Sequence, residues 1–266
     1  MRRFLPLVIL LVAGISLWRT PVQASSPQAY QDFNYQFDQY RQKLSDFQAA
    51  YTQYKQFNSL TAQQDALDKV KALLAQRNMV AKTYFLFLNE KLNENPGLGS
   101  ADTAGYRTAI TNQIGLLDQN TVQSQTIGTL ADAATVSTAF IKNYNAMQAA
   151  YRQTIVGINL GYLQYFGSKF DAAAASAQTL IAASRGDSSP EKQATMDRWM
   201  LNLSNQHSLF TEKIVLIQKA LPGIKGDVQE QDRQLATIQK TMLAARQDLI
   251  EGASYLGELQ DALHYE

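Results

Sequence analysis

The clearest structural signal in the sequence is YQDFNYQFDQYRQKLSDFQAAYTQY, residues 30–54. Apolar and aromatic side chains recur in it at alternating intervals of three and four residues, with Gln, Asp, Lys and Arg between them. This is the a/d stripe of an amphipathic helix, sustained for more than three heptads. The stripe consists of Tyr30, Phe33, Phe37, Tyr40, Leu44, Phe47, Tyr51 and Tyr54. Its large rings favour a wide multi-helix core over a two-stranded coiled coil, which prefers Leu, Ile and Val.

Similar patterns cover the rest of the chain. They predict further helices at 61–94, 102–118, 129–185, 190–222 and from 227 onward. Thr129 with Asp132 has the spacing of a capping box, and Pro190 occupies the first position of the next helix. The 14 Gly and 6 Pro are too few for the many turns of a β-sandwich, a barrel or a βα repeat. The sequence therefore predicts an all-α fold, an elongated and mostly antiparallel bundle of five to six long helices with coiled-coil-like heptad seams.

Three local features of this helical pattern are less regular. Thr61 with Gln64 has capping-box spacing and predicts the start of the second helix. The polar residues 119–128 are predicted to form a bend. Because Gly157 and Gly167 bracket a glycine-rich part of the longest segment, we expect a kink or break between them.

Residues 1–24 have the anatomy of a secretory signal peptide. Arg2 and Arg3 precede an uncharged run from Phe4 to Trp18, and small side chains then mark a cleavage site before Ser25. The run is shorter than the roughly 20 residues that span a bilayer comfortably. The alternative is that this segment is retained as an N-terminal membrane anchor. Residues 25–266 then form a single helical-bundle domain that is exported, meaning secreted, periplasmic or on the cell surface, and membrane-anchored if the segment is not cleaved.

Composition excludes several classes of function. The predicted leader contains three of the 24 basic residues and none of the 23 acidic ones, so the mature chain carries a net charge of −2. Such a chain has no global electrostatic attraction for nucleic acid. It has no Cys and only two His, and it lacks a phosphate-binding glycine loop and a nucleophile elbow. We therefore expect a protein that is not an enzyme, with no catalytic residues, no metal site and no cofactor.

Two apolar segments are the candidate contact sites. The five consecutive positions 84–88 cover more than one full turn of a helix, so they cannot all face one neighbour. Residues 154–167 are apolar nearly all round and contain a small-residue pair that permits close helix approach. Each segment is either enclosed in the core or presented to a partner or a membrane. The candidate contact residues are Tyr84, Phe85, Phe87, Gly157, Gly161, Tyr162, Tyr165 and Phe166.

Three hypotheses of function follow. The first is an exported, non-enzymatic helical bundle that acts through contacts with a protein or a component of the cell envelope. The second is a membrane-active helical protein that uses residues 154–167. The third is a bundle with an aromatic groove for a ligand, in which Tyr144 and Tyr151 would have to border a cavity. The partner, the ligand and the oligomeric state stay open at this point.

Overall fold

The chain is an all-α helical bundle. The computed structural model describes residues 25–264, and within that range it contains six α-helices and no strand. The helices are α1 (Ser26–Phe57), α2 (Leu60–Asn93), α3 (Ser100–Thr126), α4 (Leu130–Ser184), α5 (Pro190–Ala220) and α6 (Val228–His264). Short 3₁₀ turns at Arg185–Asp187 and Leu221–Gly223 follow α4 and α5. The predicted leader, residues 1–24, lies outside the described residues.

The N-terminal half of the molecule contains four packed helices. α1 and α2 are antiparallel, since Ser26 at the start of α1 contacts Glu94 just beyond the end of α2. α3 runs antiparallel to α2, and the ion pair between Lys82 and Asp118 joins the two at 2.8 Å. The first half of α4 completes the group, with the ring of Tyr151 stacked on Phe85 of α2 at a centroid distance of 4.1 Å.

Over residues 25–264, the C-terminal half contains three helices. α5 runs antiparallel to the second half of α4, and α6 runs antiparallel to α5, with Lys213 of α5 paired to Asp248 of α6 at 2.6 Å. Arg152 joins α4 to Asp232 at the start of α6 at 2.7 Å. α4 has 55 residues and is about 80 Å long, so it belongs to both halves and makes the molecule elongated.

Local sequence signals place several helix ends correctly. Thr129 and Asp132 form the predicted capping box, in which the Thr129 hydroxyl accepts from the Asp132 amide and the Asp132 carboxylate accepts from the Thr129 amide. The start of α2 is different from the prediction. α2 begins at Leu60, and the Ser59 hydroxyl, not that of Thr61, accepts the capping hydrogen bond from the Ala62 amide. Ser59 has the extended backbone of an N-cap residue, which fits this role.

The predicted bend over 119–128 is wrong for most of its length. α3 continues to Thr126, although the segment is polar. The side chain of Asn120 is buried and its Oδ1 accepts a 3.0 Å hydrogen bond from Asn78 of α2. Ser124 is also buried and its hydroxyl donates to the Asn120 carbonyl. These polar groups face the core with their hydrogen bonds made, so polarity here does not end the helix.

Of the kink or break expected between Gly157 and Gly167, the break is absent, because α4 is one uninterrupted helix from Leu130 to Ser184. Its glycines admit neighbouring side chains rather than interrupting the helix. Over residues 25–264, none of the helices combines the length and the apolar character needed to cross a membrane.

Candidate functional site

The middle of α4 is covered on more than one side, which explains its apolar character. The ring of Tyr106 from α3 lies so close to Gly157 that a Cβ atom there would collide with it. Gly161 is approached in the same way by Asn95, in the loop between α2 and α3. On the other half of the molecule, the ring of Phe210 from α5 lies against Gly167. Both candidate glycines of the apolar segment, Gly157 and Gly161, are therefore packing positions.

Most of the segment 84–88 of α2 is likewise enclosed, and only Leu86 of its five residues is exposed. Phe85 is fully buried beneath Tyr151, so it is a core residue and forms no part of an exposed surface. Tyr84 contacts Phe33 of α1 at a ring-centroid distance of 5.1 Å. Phe87 contacts Tyr30 of α1 at 5.5 Å. The three aromatic candidates of this segment thus pack against α1 or α4.

The remaining candidates lie at an exposed apolar groove between α4 and α6. Tyr162 and Phe166 line it, while Tyr165 packs its ring against that of Phe166 at a centroid distance of 5.6 Å. The groove has a volume of about 940 Å³. Its lining residues on α4 are Asn159, Tyr162, Leu163, Phe166, Lys169, Phe170 and Ala173, and those on α6 are Gln239, Met242, Leu243, Arg246, Leu249, Ile250, Ala253 and Leu256.

Large apolar side chains at the groove rim are open to solvent. Phe166 is 57% exposed, Leu243 is 66% exposed and Ile250 is 50% exposed. Met242 and Leu249, beside them on α6, lie deeper in the groove and also pack in the core with α5. Both residues belong to the heptad pattern that predicts α6 from the sequence. Leu243 and Ile250 repeat at a seven-residue interval next to it, and that spacing is the signal that would have revealed a second apolar face.

The charges along the groove have one sign. Lys169 of α4 and Arg246 of α6 line it, and no Asp or Glu does. Neither cation forms an ion pair with any residue in the described part of the chain, although Lys169 lies over the ring of Tyr165 at 5.2 Å. The groove is therefore an apolar surface with uncompensated positive charge along it.

The groove lies where a fourth helix would pack. In the N-terminal half, α1 occupies one side of the bundle, whereas the described residues of the C-terminal half form α4, α5 and α6 alone. The groove residues on α6 extend from Gln239 to Leu256, which is about 25 Å along the helix axis. An incomplete bundle of this kind leaves apolar side chains of two helices without a neighbour.

A histidine–aspartate pair was not foreseen from the sequence. Nε2 of His207 on α5 is 2.8 Å from Oδ1 of Asp171 on α4, and both side chains are about half exposed. The two residues are far apart in the chain, so no spacing rule could have linked them. Within residues 25–264 no three His, Asp or Glu side chains are grouped closely enough to hold a metal ion.

The two tyrosines of the aromatic-groove hypothesis do border a cavity. Tyr144 and Tyr151 line a space of about 630 Å³ in the N-terminal half, together with side chains from α1 and α2. This space is separate from the α4–α6 groove, with which it shares no lining residue.

Comparison of the chain with protein-family models, with curated proteins and with solved structures finds no match. The fold itself therefore defines the class of protein: an all-α helical bundle whose two halves share one long helix.

Proposed function

We propose that this is an exported, non-enzymatic binding protein that holds one amphipathic helix of a partner protein in the groove between α4 and α6. The observation that carries the proposal is the row of exposed apolar side chains, Phe166, Leu243 and Ile250, along an open side of a three-helix bundle. Contiguous exposed apolar surface is typical of interaction sites in soluble proteins. Covering it gains about 25 cal/mol for each Å² of apolar surface removed from water.

The shape of the groove favours a helix as the occupant. Its walls are two helices, and its length of about 25 Å corresponds to roughly 17 residues of a third. A helix placed there would complete a four-helix arrangement like that of the N-terminal half. An amphipathic helix recognises such a groove through apolar residues at every third and fourth position.

The charge of the groove specifies the partner helix further. Lys169 and Arg246 flank the apolar floor, so a helix with Glu or Asp beside its apolar stripe is complementary. The apolar segment of the leader carries Arg2, Arg3 and Arg19 around it and no acid. Its charge has the same sign as that of the groove, so the leader is a poorer occupant than an acidic partner helix.

Two labelled helical peptides of about 18 residues test the proposal. Both carry the same Leu stripe, flanked by Glu in one peptide and by Lys in the other, and binding to the purified protein is followed by fluorescence anisotropy. We expect the Glu peptide to bind, and to bind more tightly than the Lys peptide. The double variant Leu243→Ser/Ile250→Ser should weaken binding about tenfold or more, as loss of central apolar contacts does elsewhere.

Leu201→Ser is the matched control, because Leu201 is 62% exposed on α5 and does not line the groove. It should leave binding of the Glu peptide unchanged. Equal binding of the two peptides, or equal effects of the two sets of substitutions, would contradict the proposal. A dimer of the purified protein that dissociates in the Leu243→Ser/Ile250→Ser variant would instead identify a second copy as the occupant.

Export is supported by the signal-like anatomy of residues 1–24 and by the start of α1 at Ser26, directly after the predicted cleavage site. Mass spectrometry of the protein produced in a secretion-competent bacterium tests it. The expected mature chain begins at Ser25. An intact N-terminus in the cytoplasmic fraction would refute export, whereas an intact N-terminus in the membrane fraction would identify the retained anchor.

A further inference from the structure

The cavity of about 630 Å³ between α1, α2 and α4 has an unusual lining. Seven aromatic rings and two arginines contribute to it, and no Asp or Glu does. The rings come from three helices: Phe33, Phe37 and Tyr40 from α1, Tyr84 from α2, and Phe140, Tyr144 and Tyr151 from α4. Its volume is within the range of small-molecule sites, roughly 300–1,000 Å³.

Arg77 of α2 is the side chain that would make this cavity favour an anionic ligand. Its guanidinium lies over the ring of Phe140 at 3.7 Å from the centroid. One terminal nitrogen donates to the Ser137 hydroxyl at 3.1 Å, and the other is 3.5 Å from Oδ1 of Asn120. Its Nε is buried and has no hydrogen-bond partner. Among the residues that the structure describes, no carboxylate pairs with Arg77.

The second arginine of the cavity is different. Arg152 donates to the carboxylate of Asp232 at 2.7 Å and to the side-chain oxygens of Gln148 and Gln231. Its charge is therefore compensated by α6, and it offers less to a ligand than Arg77 does.

Arg77 is partly buried, and partial loss of hydration without a counter-ion is unfavourable for a cation. Burial lowers the pKa of Arg77 to about 10, so the guanidinium remains charged at neutral pH. An anion entering the cavity would supply the missing charge, and guanidinium groups recognise carboxylates through paired hydrogen bonds. The surrounding rings would offer flat apolar surfaces to the body of the ligand.

We propose that this cavity is a binding site for a small aromatic carboxylate, with the carboxylate at Arg77 and the ring system against the aromatic wall that includes Tyr144. The site shares no lining residue with the α4–α6 groove, so this proposal does not depend on the partner-helix proposal.

Isothermal titration calorimetry of the purified protein with three probes tests this site. The probes are 2-naphthoate, its neutral analogue 2-naphthamide, and decanoate, which carries the same carboxylate on an aliphatic chain. We expect 2-naphthoate to bind about tenfold or more tightly than 2-naphthamide, the ratio that corresponds to roughly 1.4 kcal/mol. We also expect it to bind more tightly than decanoate, because the cavity wall is aromatic.

Variants then test whether the probes bind in this cavity. Arg77→Gln should abolish the preference for 2-naphthoate over 2-naphthamide, whereas Arg246→Gln, in the other groove, should preserve it. Circular dichroism establishes whether Arg77→Gln is folded. Tyr144→Ala is a second test that leaves Arg77 intact. Both aromatic probes should bind this variant more weakly, and the ratio of their affinities should be unchanged.

Three results would overturn the proposal. One is equal affinity for 2-naphthoate and 2-naphthamide, or no binding of either. Another is a preference that survives in folded Arg77→Gln or is lost in Arg246→Gln. The third is decanoate binding as tightly as 2-naphthoate, which would replace the aromatic ligand with an aliphatic one.

Discussion

Gly97, in the loop between α2 and α3, lies directly against the backbone carbonyl of Gly161 in the middle of α4. A Cβ atom on Gly97 would collide with that carbonyl. Asn95 fixes the loop in place, because its side-chain amide donates to the Ile158 carbonyl at 2.7 Å and its oxygen accepts from the Gly97 amide at 3.1 Å. The two halves of the molecule meet on α4 in this region, so the contact affects the packing of both.

Gly97→Ala should therefore destabilise the protein. The added methyl group meets backbone atoms, which cannot move aside as a flexible side chain can, and we expect a loss of about 1–3 kcal/mol in the free energy of unfolding. Urea denaturation followed by circular dichroism measures it. Gly115→Ala is the control, since Gly115 is exposed on α3 with no atom near its Cβ position. That variant should gain up to about 1 kcal/mol from helix propensity, and a loss of equal size in both variants would contradict the close contact.

Two helix starts that local side chains determine were predicted from the sequence. One is the capping box at Thr129 and Asp132, and the other is the helix start at Pro190. Each involves residues within one helical turn, so all the interacting groups are close together in the sequence. The continuation of α3 past Asn120 depends on a hydrogen bond to Asn78 on another helix, and a polar stretch alone gives no sign of it. Tertiary contacts override local preference there.

Phe85→Ala should cost about 3–5 kcal/mol, the usual range for removing a buried aromatic ring. Phe85 is fully buried and stacks on Tyr151, so removal of its ring leaves a cavity in the core. Leu86→Ala is the matched control on the next residue, because Leu86 is exposed on the outer face of α2. Thermal denaturation of both variants measures the two losses of stability, and the loss should be much smaller for Leu86→Ala. Similar losses in the two variants would contradict the orientation of α2.

The ion pair between Lys213 and Asp248 joins α5 to α6 outside the proposed groove, and both side chains are largely buried. Asp248→Leu alone should destabilise the protein by about 1–3 kcal/mol, because it leaves the ammonium group of Lys213 without its partner. Adding Lys213→Met should restore most of the loss, since the pair is then replaced by apolar side chains of similar size. A double-mutant cycle in urea measures the coupling. Additive losses would show that the two residues do not interact in solution.

Of the groove between α4 and α6, only residues on the α4 side were candidates from the sequence. Tyr162 and Phe166 were candidates because their segment is apolar nearly all round. Arg246 and Leu243 are far away in the chain, and the pairing of α4 with α6 is a property of the tertiary fold. Periodicity identifies which side chains of a helix are apolar, but it does not identify the helix that covers them.

Stability should also depend on pH through Glu94, whose carboxylate accepts hydrogen bonds from the hydroxyl and the amide of Ser26 at 2.6 and 2.8 Å. The Ser26 hydroxyl is the larger influence and the amide the second, and together they lower the pKa of Glu94. A lowered pKa in the folded state means that the stabilisation is complete above the ordinary pKa of the carboxyl group. It is lost as the pH falls through the lowered value.

Glu94→Gln and Ser26→Ala should each reduce the free energy of unfolding at pH 7 by about 0.5 kcal/mol, at the lower end of what helix N-caps contribute, because Glu94 is exposed. The difference from the unsubstituted protein should narrow between pH 7 and pH 3, because protonation removes the same charged acceptor. Urea unfolding at a series of pH values measures this. A difference that stays constant over that range would show that the carboxylate charge does not hold the start of α1 to the end of α2.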